Sequence, residues 1–224
     1  MVERYFTTFR PELRAFLPPQ FANVLEVGCA AGGFTRSHLS GATERWGIEP
    51  DAGAAAEAKP HFTRLLIGTY DMVAADLPAH HFDLIICNDV IEHMADHDRF
   101  LQVIKEKLKP GGYLVGSVPN VRHFTALVKL LLLKDWPYAA DGILDRTHLR
   151  FFTEKSLRRA FRANGYAVER LEGIRSIIRA GITGLSGARN LAARAAAALL
   201  VGLSLGSWAD TQYPQFGFRV RLHG

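Results

Sequence analysis

Residues 22–34 read Ala-Asn-Val-Leu-Glu-Val-Gly-Cys-Ala-Ala-Gly-Gly-Phe, and this stretch decides the fold. Its apolar first half predicts a short buried strand, Gly28–Gly33 predict a turn of small residues, and Phe34–Leu39 predict the start of a helix. Glycine has no Cβ, so a ligand can lie directly against the backbone of such a turn. Because parallel sheets bind ligands at the carboxyl ends of their strands, the stretch predicts an α/β sheet with a binding site at this turn.

The turn lacks the features of two common nucleotide-binding loops. No Gly-Lys-Ser/Thr follows it, so the lysine and the hydroxyl that bind triphosphate and magnesium are missing. The three-glycine spacing that brings a pyrophosphate onto a helix end is missing as well. Glu26 lies inside the strand, and its carboxylate would repel a pyrophosphate but attract an ammonium or sulfonium group. The pattern therefore favours a ligand that carries a positive charge.

The spacing Glu26-x-Gly28-x-Ala30-x-Gly32 resembles the first motif of class I S-adenosylmethionine-dependent methyltransferases. That family usually has glycine at the position of Ala30. The resemblance implies S-adenosylmethionine as the cofactor and S-adenosylhomocysteine as the product. It also implies that Glu26, Gly28 and Gly32 lie near the methionine half of the cofactor, with Cys29 and Ala30 completing the cofactor-binding turn.

A second strand is predicted by Trp46–Asp51, which ends in acidic residues. A carboxylate at this point accepts hydrogen bonds from both hydroxyls of a ribose, so Glu49, together with the adjoining Pro50, is predicted to bind the cofactor ribose. The alternative is that Glu49 is a solvated loop acid or the neighbour of a helix N-cap.

The sequence after the third and fourth strands predicts the remaining cofactor contacts. The family often has an acid directly after the third strand to meet the adenine amine, but here Thr69 and Tyr70 follow Leu65–Gly68. These two residues are the predicted adenine contacts by position. Asn88, at the end of the fourth predicted strand, is expected beside the methionine portion; alternatively, it caps the helix that begins near Val90.

The composition is that of an ordinary globular protein. The chain has 224 residues, of which 48% are hydrophobic and 22% charged, enough for one α/β domain with a sizeable core. Two cysteines make no disulfide framework, and residues 1–14 do not resemble a secretory signal, so a cytoplasmic location is expected. The net charge of +5 fits an anionic substrate, a membrane surface, nucleic acid or an unspecialised basic surface. The sequence contains neither zinc-ligand spacing nor an RNA-binding motif, so no metal and no nucleic-acid partner are expected.

Strand and helix patterns alternate from residue 22 to about residue 119, which predicts a Rossmann-like, doubly wound, mostly parallel sheet. The chain is predicted to be a single domain with four parts: an N-terminal helical segment at 1–21, a cofactor-binding core at 22–119, a helical acceptor cap at 120–152, and the C-terminal half of the sheet at 153–224. Within the last part, alternation at 216–222 predicts an antiparallel edge strand, and 175–206 predict a helical insertion.

Two segments carry more apolar residues than one buried face needs. Val121–Lys134 is apolar on most sides of its predicted helix, so protein, an apolar ligand or a membrane surface must cover it. Residues 195–209 carry no charge, but they are fewer than the roughly 20 that span a bilayer. The insertion at 175–206 is predicted either to lie in a membrane interface or to pack on the sheet or on a second subunit of a homodimer.

Methyl transfer needs a well-positioned acceptor, exclusion of water and, for a hydroxyl acceptor, a base that takes its proton. His93 belongs to Val90-Ile91-Glu92-His93-Met94, which resembles a common motif of the family. The catalytic candidates are His148, His93 and Asp145. The acceptor-binding candidates are Asn120, His123, Arg146 and Arg150. Alternatively, His148 is a structural histidine bonded to a backbone carbonyl, and the two arginines form ion pairs with Asp145 or Asp141.

The segment Asp145–Phe152 places acid–base residues, arginines and aromatics in one loop. Together with Pro119-Asn120 and the leucine-rich cap, it resembles methyltransferases associated with cell-surface polysaccharide and O-antigen biosynthesis. That resemblance implies transfer to a hydroxyl of a sugar or glycan intermediate. The alternatives are O- or N-methylation of a small aromatic or lipid-like acceptor, and a cofactor-binding scaffold without catalysis. Nucleic-acid methylation is disfavoured because the Asn/Asp-Pro-Pro-Tyr/Phe pattern is missing.

Overall fold

The computed structural model describes residues 9–182 and 185–222. The strands within them are Asn23–Val27 (β1), Glu44–Glu49 (β2), Arg64–Ile67 (β3), Phe82–Asn88 (β4), Leu108–Pro119 (β5), Tyr166–Ile174 (β6) and Gln215–Leu222 (β7). They form one sheet in the order β3-β2-β1-β4-β5-β7-β6. The first five strands are parallel, and β7 is antiparallel to both β5 and β6. The predicted Rossmann-like, mostly parallel sheet is confirmed.

Helices connect the strands and flank the sheet. The α-helices of the described residues are Gly33–His38 (α1), Ala52–Ala58 (α2), Tyr70–Val73 (α3), His97–Lys105 (α4), Phe124–Leu131 (α5), Glu154–Ala163 (α6), Ile177–Ala180 (α7) and Gly187–Leu203 (α8). Shorter 3₁₀ helices include Pro11–Phe16, in the predicted N-terminal helical segment, and Ile91–His93, directly after β4. Residues 1–8 of that N-terminal segment lie outside the described residues.

The sheet is buried on both faces, because successive residues of β4 belong to different cores. Leu84 and Ile86 join a cluster that includes the 3₁₀ helix Pro11–Phe16. Ile85 and Cys87 join a second cluster that includes side chains of α4 and α6. Since side chains alternate between the faces of a strand, a strand with two cores reads as a continuous apolar run.

The order of the strands reverses between β1 and β4, and this reversal positions the site. The chain proceeds from β1 outward to β2 and β3 on one side, then returns to β4 and β5 on the other. Connections that leave in opposite directions open a crevice at the carboxyl ends of the two central strands. Because Val27 is paired with Cys87, the turn that begins at Gly28 lies beside Asn88 at this crevice.

The predicted edge position of the last strand is wrong. Strand β7 lies inside the sheet, and β6 forms the edge. The alternation at 216–222 resembles a strand with one solvent-exposed face, but neighbouring side chains cover that face. A Cβ on Gly217 would lie 2.6 Å from the Phe16 ring, and Arg219 forms an ion pair with Glu169 at 3.1 Å. These contacts with Phe16 and Glu169 allow Gly217 and Arg219 to lie in an interior strand.

The two apolar segments, Val121–Lys134 and residues 195–209, keep many exposed side chains. Leu130–Leu133, at the end of α5, are each at least 45% exposed, and Ala126 is the buried residue of that helix. The predicted insertion forms α7 and α8, which pack on one another, although its residues 183–184 lie outside the described residues. Among the described residues, no helix is both long and apolar enough to cross a membrane. Contact of 175–206 with a membrane interface or a second subunit stays a prediction.

Candidate active site

A cavity of about 710 Å³ opens at the carboxyl ends of the central strands. Its wall combines the turn after β1, the end of β4, the cap and the C-terminal insertion. The residues from the last two parts include Ile143, Asp145, His148, Ile177, Ile182 and Leu185. This volume is in the range of sites for drug-sized ligands, which fits a nucleoside cofactor with an adjoining acceptor.

The turn after β1 adopts left-handed backbone angles. Gly28, Ala30 and Gly32 have φ values of 69°, 47° and 74°, and the amides of Gly28 and Cys29 both donate to the Ile48 carbonyl. Left-handed angles favour glycine, which explains why alanine at position 30 is the unusual choice and costs about 1 kcal/mol. Gly28, Cys29, Ala30 and Gly33 of this turn line the cavity, whereas Gly32 does not, so the cofactor contact of the turn stays a prediction.

Glu26 lines the cavity as a buried carboxylate. One of its oxygens accepts a hydrogen bond from the Thr35 hydroxyl at 2.6 Å. Burial raises the pKa of Glu26 to about 8, and the bond from Thr35 opposes that shift only in part. A cation placed beside Glu26 would restore its negative charge, because an opposite charge favours the ionised form of a carboxyl group.

Glu49 is buried, so it is not the solvated loop acid that was the alternative to ribose binding. It accepts backbone hydrogen bonds from Ala30 at 2.8 Å and from Asp51 at 3.0 Å. Asp51 itself caps α2 by accepting from Ala54. The second alternative, an N-cap neighbour, is thus also true. A carboxylate has about four acceptor positions, so two remain for a ribose, and the ribose contact stays a prediction.

Asn88 has both side-chain amide atoms buried without a partner among the described residues. The 3₁₀ helix that follows it has Val90 as its N-cap and shows no side-chain cap, so the capping alternative is not realised. An unpartnered buried amide is costly unless a ligand completes its hydrogen bonds. Because Asn88 lines the cavity, this geometry supports the predicted contact with the cofactor.

The predicted adenine contacts are placed differently. Thr69 is the N-cap of α3, and the ring of Tyr70 packs in the core against Phe100, with ring centroids 5.0 Å apart. Neither residue is part of the cavity wall, and the side chain of Pro50 is exposed outside it. Tyr70 lies in the core because its ring is apolar, although its buried hydroxyl has no hydrogen-bond partner among the described residues.

The structure brings the two predicted histidine bases together. The rings of His93 and His148 have centroids 4.8 Å apart. Nδ1 of His93 faces the carbonyl of Thr147, and Nδ1 of His148 faces the carbonyl of Ile143, each at 3.2 Å. Because a carbonyl only accepts, Nδ1 must carry the proton, which leaves the lone pair on Nε2. The bond from His148 to a backbone carbonyl, which was the structural alternative, therefore exists, and a catalytic role of His148 stays a prediction.

Asp145 and His123, two further predicted site residues, also line the cavity. Burial opposes ionisation of Asp145, but bonds from the Thr147 amide and hydroxyl more than offset it and lower its pKa. His123 donates or accepts through Nδ1 with the Thr125 hydroxyl, and its Nε2 has no partner among the described residues. Burial lowers the pKa of His123 to about 4, so the imidazole is neutral at pH 7.

Two residues of the cavity wall were missed in the sequence. Glu92 is buried, and neither carboxylate oxygen has a hydrogen-bond partner among the described residues. The sequence pattern that could have indicated Glu92 is an acid beside His93 inside an otherwise apolar run. Arg10 binds Asp89, the Ser117 hydroxyl at 3.1 Å and Gln215 at 3.0 Å, joining the ends of three strands. Its partners are distant in sequence, so no local pattern could have indicated it.

The remaining predicted acceptor-binding residues lie outside the cavity. Arg146 and Arg150 are exposed and reach backbone carbonyls, those of Ala139 and of Ala95 respectively. The alternative to acceptor binding was an ion pair with Asp141 or Asp145, and neither arginine forms one. The arginines that do line the cavity are Arg10 and Arg175.

Asn120 is fully buried, and its amide is saturated by the protein. It donates to the carbonyls of Asp210 and Tyr213 at 2.8 and 2.9 Å, and its oxygen accepts from the Arg122 amide at 2.9 Å. This geometry joins the end of β5 to the segment before β7. The predicted role in acceptor binding is not supported, because the side chain is fully buried, bonds within the protein and is not part of the cavity wall.

Replacement of Asn120 with alanine is expected to destabilise the protein by about 2 kcal/mol, because it leaves buried backbone groups without partners. Urea unfolding measures this loss. The acceptor KM should stay as in the unmodified protein. Gln102→Ala, on the exposed surface of α4, serves as the control and should shift stability by no more than about 0.5 kcal/mol. A raised KM with unchanged stability would instead assign Asn120 to the acceptor site.

Comparison with known proteins agrees with this architecture. A family model described as a methyltransferase domain matches residues 1–171. A ubiquinone biosynthesis O-methyltransferase of Nitrobacter winogradskyi is 28% identical over 156 residues, which cover 67% of this chain and 59% of that protein. The enzyme of the same name from Cereibacter sphaeroides is 32% identical over 129 residues, covering 54% and 50%. The chain thus spans between half and two thirds of the length of these relatives.

Solved structures show the same fold. A SAM-dependent methyltransferase from Archaeoglobus fulgidus has a TM-score of 0.63 at 16% identity, covering 98% of this chain and 90% of that chain. One from Thermotoga maritima has a TM-score of 0.62 at 19% identity, covering 99% and 95%. At such identities the likeness concerns the fold, while the family assignment rests on the family model. The chain therefore belongs to the methyltransferase domain family.

Proposed function

We propose that the protein transfers the methyl group of S-adenosylmethionine to a hydroxyl of a phenolic or lipid-like acceptor. The observation that carries the proposal is a single cavity that joins the turn after β1 to Glu92 and His148 on the opposite wall. A cofactor bound at the turn would point its sulfonium methyl toward the acceptor space beside these residues. The main requirement of methyl transfer is that the two reactants are held in line.

The reaction balances with groups of this site. The acceptor oxygen forms a bond to the methyl carbon, and the carbon–sulfur bond breaks with its electron pair left on S-adenosylhomocysteine. The hydroxyl proton passes to Nε2 of His148, whose lone pair is free because Nδ1 bonds the Ile143 carbonyl. Burial lowers the pKa of His148, so the imidazole is neutral and able to act as a base near pH 7.

Apolar side chains of the cap and the insertion form part of the cavity wall, which supports a phenolic or lipid-like molecule. Ile143, Ile177, Ile182 and Leu185 line the cavity, and Leu185 is also 38% exposed at its mouth. The relatives from Nitrobacter and Cereibacter are named for ubiquinone biosynthesis and not for polysaccharide. Exposed leucines on α5 and α8 support approach to an apolar phase, so peripheral membrane contact through 175–206 remains part of this proposal.

A sugar or glycan hydroxyl is the second candidate acceptor. Arg175 and Asp145 both line the cavity, so a phosphate on an activated sugar and a sugar hydroxyl would each have a partner there. Two substitutions separate the candidates. Leu185→Asp should raise KM for a phenolic lipid and leave a nucleotide sugar unaffected. Arg175→Ala should do the reverse.

The test begins with calorimetric titration of S-adenosylmethionine, which must bind for the proposal to stand. Release of S-adenosylhomocysteine is then measured with a prenylated catechol and with nucleotide sugars as probes. Acceleration by the catechol is the expected result, and acceleration only by nucleotide sugars would assign the second candidate. Binding of the cofactor with no acceleration by either probe would favour a cofactor-binding scaffold over an enzyme.

A further inference from the structure

Glu92 and His148 line the cavity, and together with the neighbouring His93 they form a cluster of possible metal ligands. One ligand atom each from Glu92, His93 and His148 lies within 4.8 Å of the other two. Atoms bound to one ion at about 2.1 Å lie no more than about 4.2 Å apart, so the three must close by several tenths of an ångström around an ion. Rotation of a carboxylate or an imidazole covers such a distance.

The two histidines are held in the arrangement that metal ligands need. The carbonyl of Thr147 orients His93, and the carbonyl of Ile143 orients His148, each through Nδ1 at 3.2 Å. Histidines that bind metals through one nitrogen nearly always donate from the other to a carbonyl or a carboxylate, which sets the tautomer. Both Nε2 lone pairs are therefore free to bind a metal ion.

Glu92 supplies the second, independent observation. The residue is 1% exposed, and neither carboxylate oxygen has a hydrogen-bond partner among the described residues. Its backbone carbonyl accepts from the amides of Leu149 and Arg150, both at 2.9 Å, which fixes this segment against the cap beside His148. A buried carboxylate with no partner is costly, whereas one that binds a cation is satisfied.

We propose that Glu92, His93 and His148 bind one divalent transition-metal ion, which holds the acceptor oxygen beside the cofactor methyl. Two imidazoles with one carboxylate suit Zn²⁺, Mn²⁺ or Co²⁺ better than Mg²⁺, which prefers oxygen ligands. Three protein ligands leave positions for an acceptor oxygen. The expectation of no metal rested on sequence spacing, and the cap brings His148 to the Glu92–His93 pair from a distant part of the chain.

The charges around the cluster are compatible with a cation. The carboxylates of Asp89 and Asp145 both act on Glu92 electrostatically, while Arg10 opposes them. Arg10 forms an ion pair with Asp89, so these two charges largely offset one another. A divalent ion with the Glu92 carboxylate carries one net positive charge, which Asp145 or an ionised acceptor oxygen would balance.

The role of the ion in catalysis rests on the proposed methyl transfer. The binding of the ion to Glu92, His93 and His148 does not depend on that proposal. A bound metal lowers the pKa of a coordinated hydroxyl, so the acceptor loses its proton to solvent and its oxygen attacks as an oxyanion. In this arrangement the histidine lone pairs bind the ion and do not accept the proton of the acceptor hydroxyl. The bonds made and broken at carbon, oxygen and sulfur are those given above.

The test is metal binding to full-length protein that has been treated with EDTA. Titration with Co²⁺, followed by visible absorption and calorimetry, is expected to show one ion per chain and a raised melting temperature. Glu92→Gln and His148→Ala should each weaken binding at least about tenfold. His97→Ala is the matched control, because His97 packs on Phe152 outside the cluster and should leave Co²⁺ binding unchanged.

Absence of stoichiometric Co²⁺, Mn²⁺ or Zn²⁺ binding by the unmodified protein would overturn the proposal, as would unchanged binding by both cluster variants. Circular dichroism checks that the variants fold. If they do not fold, the proposal is judged by the number of ions bound per chain and by the rise in melting temperature of the unmodified protein. S-adenosylmethionine titrated in EDTA separates the two proposals. Cofactor binding without metal binding leaves the methyltransferase proposal standing, and metal binding without cofactor binding leaves the metal site standing.

Discussion

Replacement of Gly28 with valine is expected to lower the affinity for S-adenosylmethionine at least about a hundredfold while the sheet stays folded. Gly28 has a φ of 69°, a conformation that β-branched residues very rarely adopt. A Cβ at this position would also lie 2.9 Å from a methyl group of Val90, across the crevice. The valine variant must therefore change the turn angles, and the backbone that faces the cofactor moves with them.

Calorimetric titration measures the affinity, and thermal unfolding measures the fold. Ala30→Gly is the matched control in the same turn, because glycine adopts the observed φ of 47° at Ala30 without strain. That variant should bind the cofactor as the unmodified protein does. Normal affinity in the valine variant would show that the cofactor does not lie against this turn.

Replacement of Glu26 with glutamine is expected to weaken cofactor binding by about a hundredfold, equivalent to about 2.7 kcal/mol. The glutamine has the same shape and can still accept from the Thr35 hydroxyl, but it carries no charge to meet a cation. The effect on binding should appear without loss of folding. Glu57→Gln, at an exposed position of α2, is the control and should leave the affinity unchanged.

The same variant reports the ionisation of Glu26. Its pKa is about 8 in the folded protein and 4.5 as a reference, so the folded state holds a proton over this range that the unfolded state releases. The unmodified protein should lose up to about 1.4 kcal/mol of stability per pH unit between these values relative to the variant. Chemical unfolding of both proteins at pH 5, 6, 7 and 8 measures the difference.

Cofactor binding should couple to that proton. A cation beside Glu26 lowers its pKa, so binding below pH 8 releases a proton, and affinity rises by up to about tenfold per pH unit. Titration in buffers of different ionisation enthalpy counts the released protons. Identical proton release by Glu26→Gln would contradict the assignment of the cofactor cation to this carboxylate.

The conformation of the turn after β1 was predictable because its determinants are local. The turn after β1 needs residues that tolerate positive φ, and Gly28 and Gly32 mark those positions in the sequence itself. The strand before it is marked by its apolar run. The placement of β7 was not predictable in the same way, because the alternation at 216–222 does not reveal that Phe16 and Glu169 cover its other face.

The sequence by itself determined the mostly parallel sheet and the turn after β1, since each depends on backbone angles and on burial over a few consecutive residues. Its match over residues 1–171 determined the family. Only the tertiary structure decided which side chains complete the acceptor end. Glu92, His93 and His148 meet because the cap folds back over β4, and Arg10 reaches Asp89 from the N-terminal segment. Contacts between distant residues depend on how whole elements pack. For that reason, the sequence showed Glu92 only as an acid in an apolar run, whereas the fold showed that its carboxylate is buried and has no partner among the described residues.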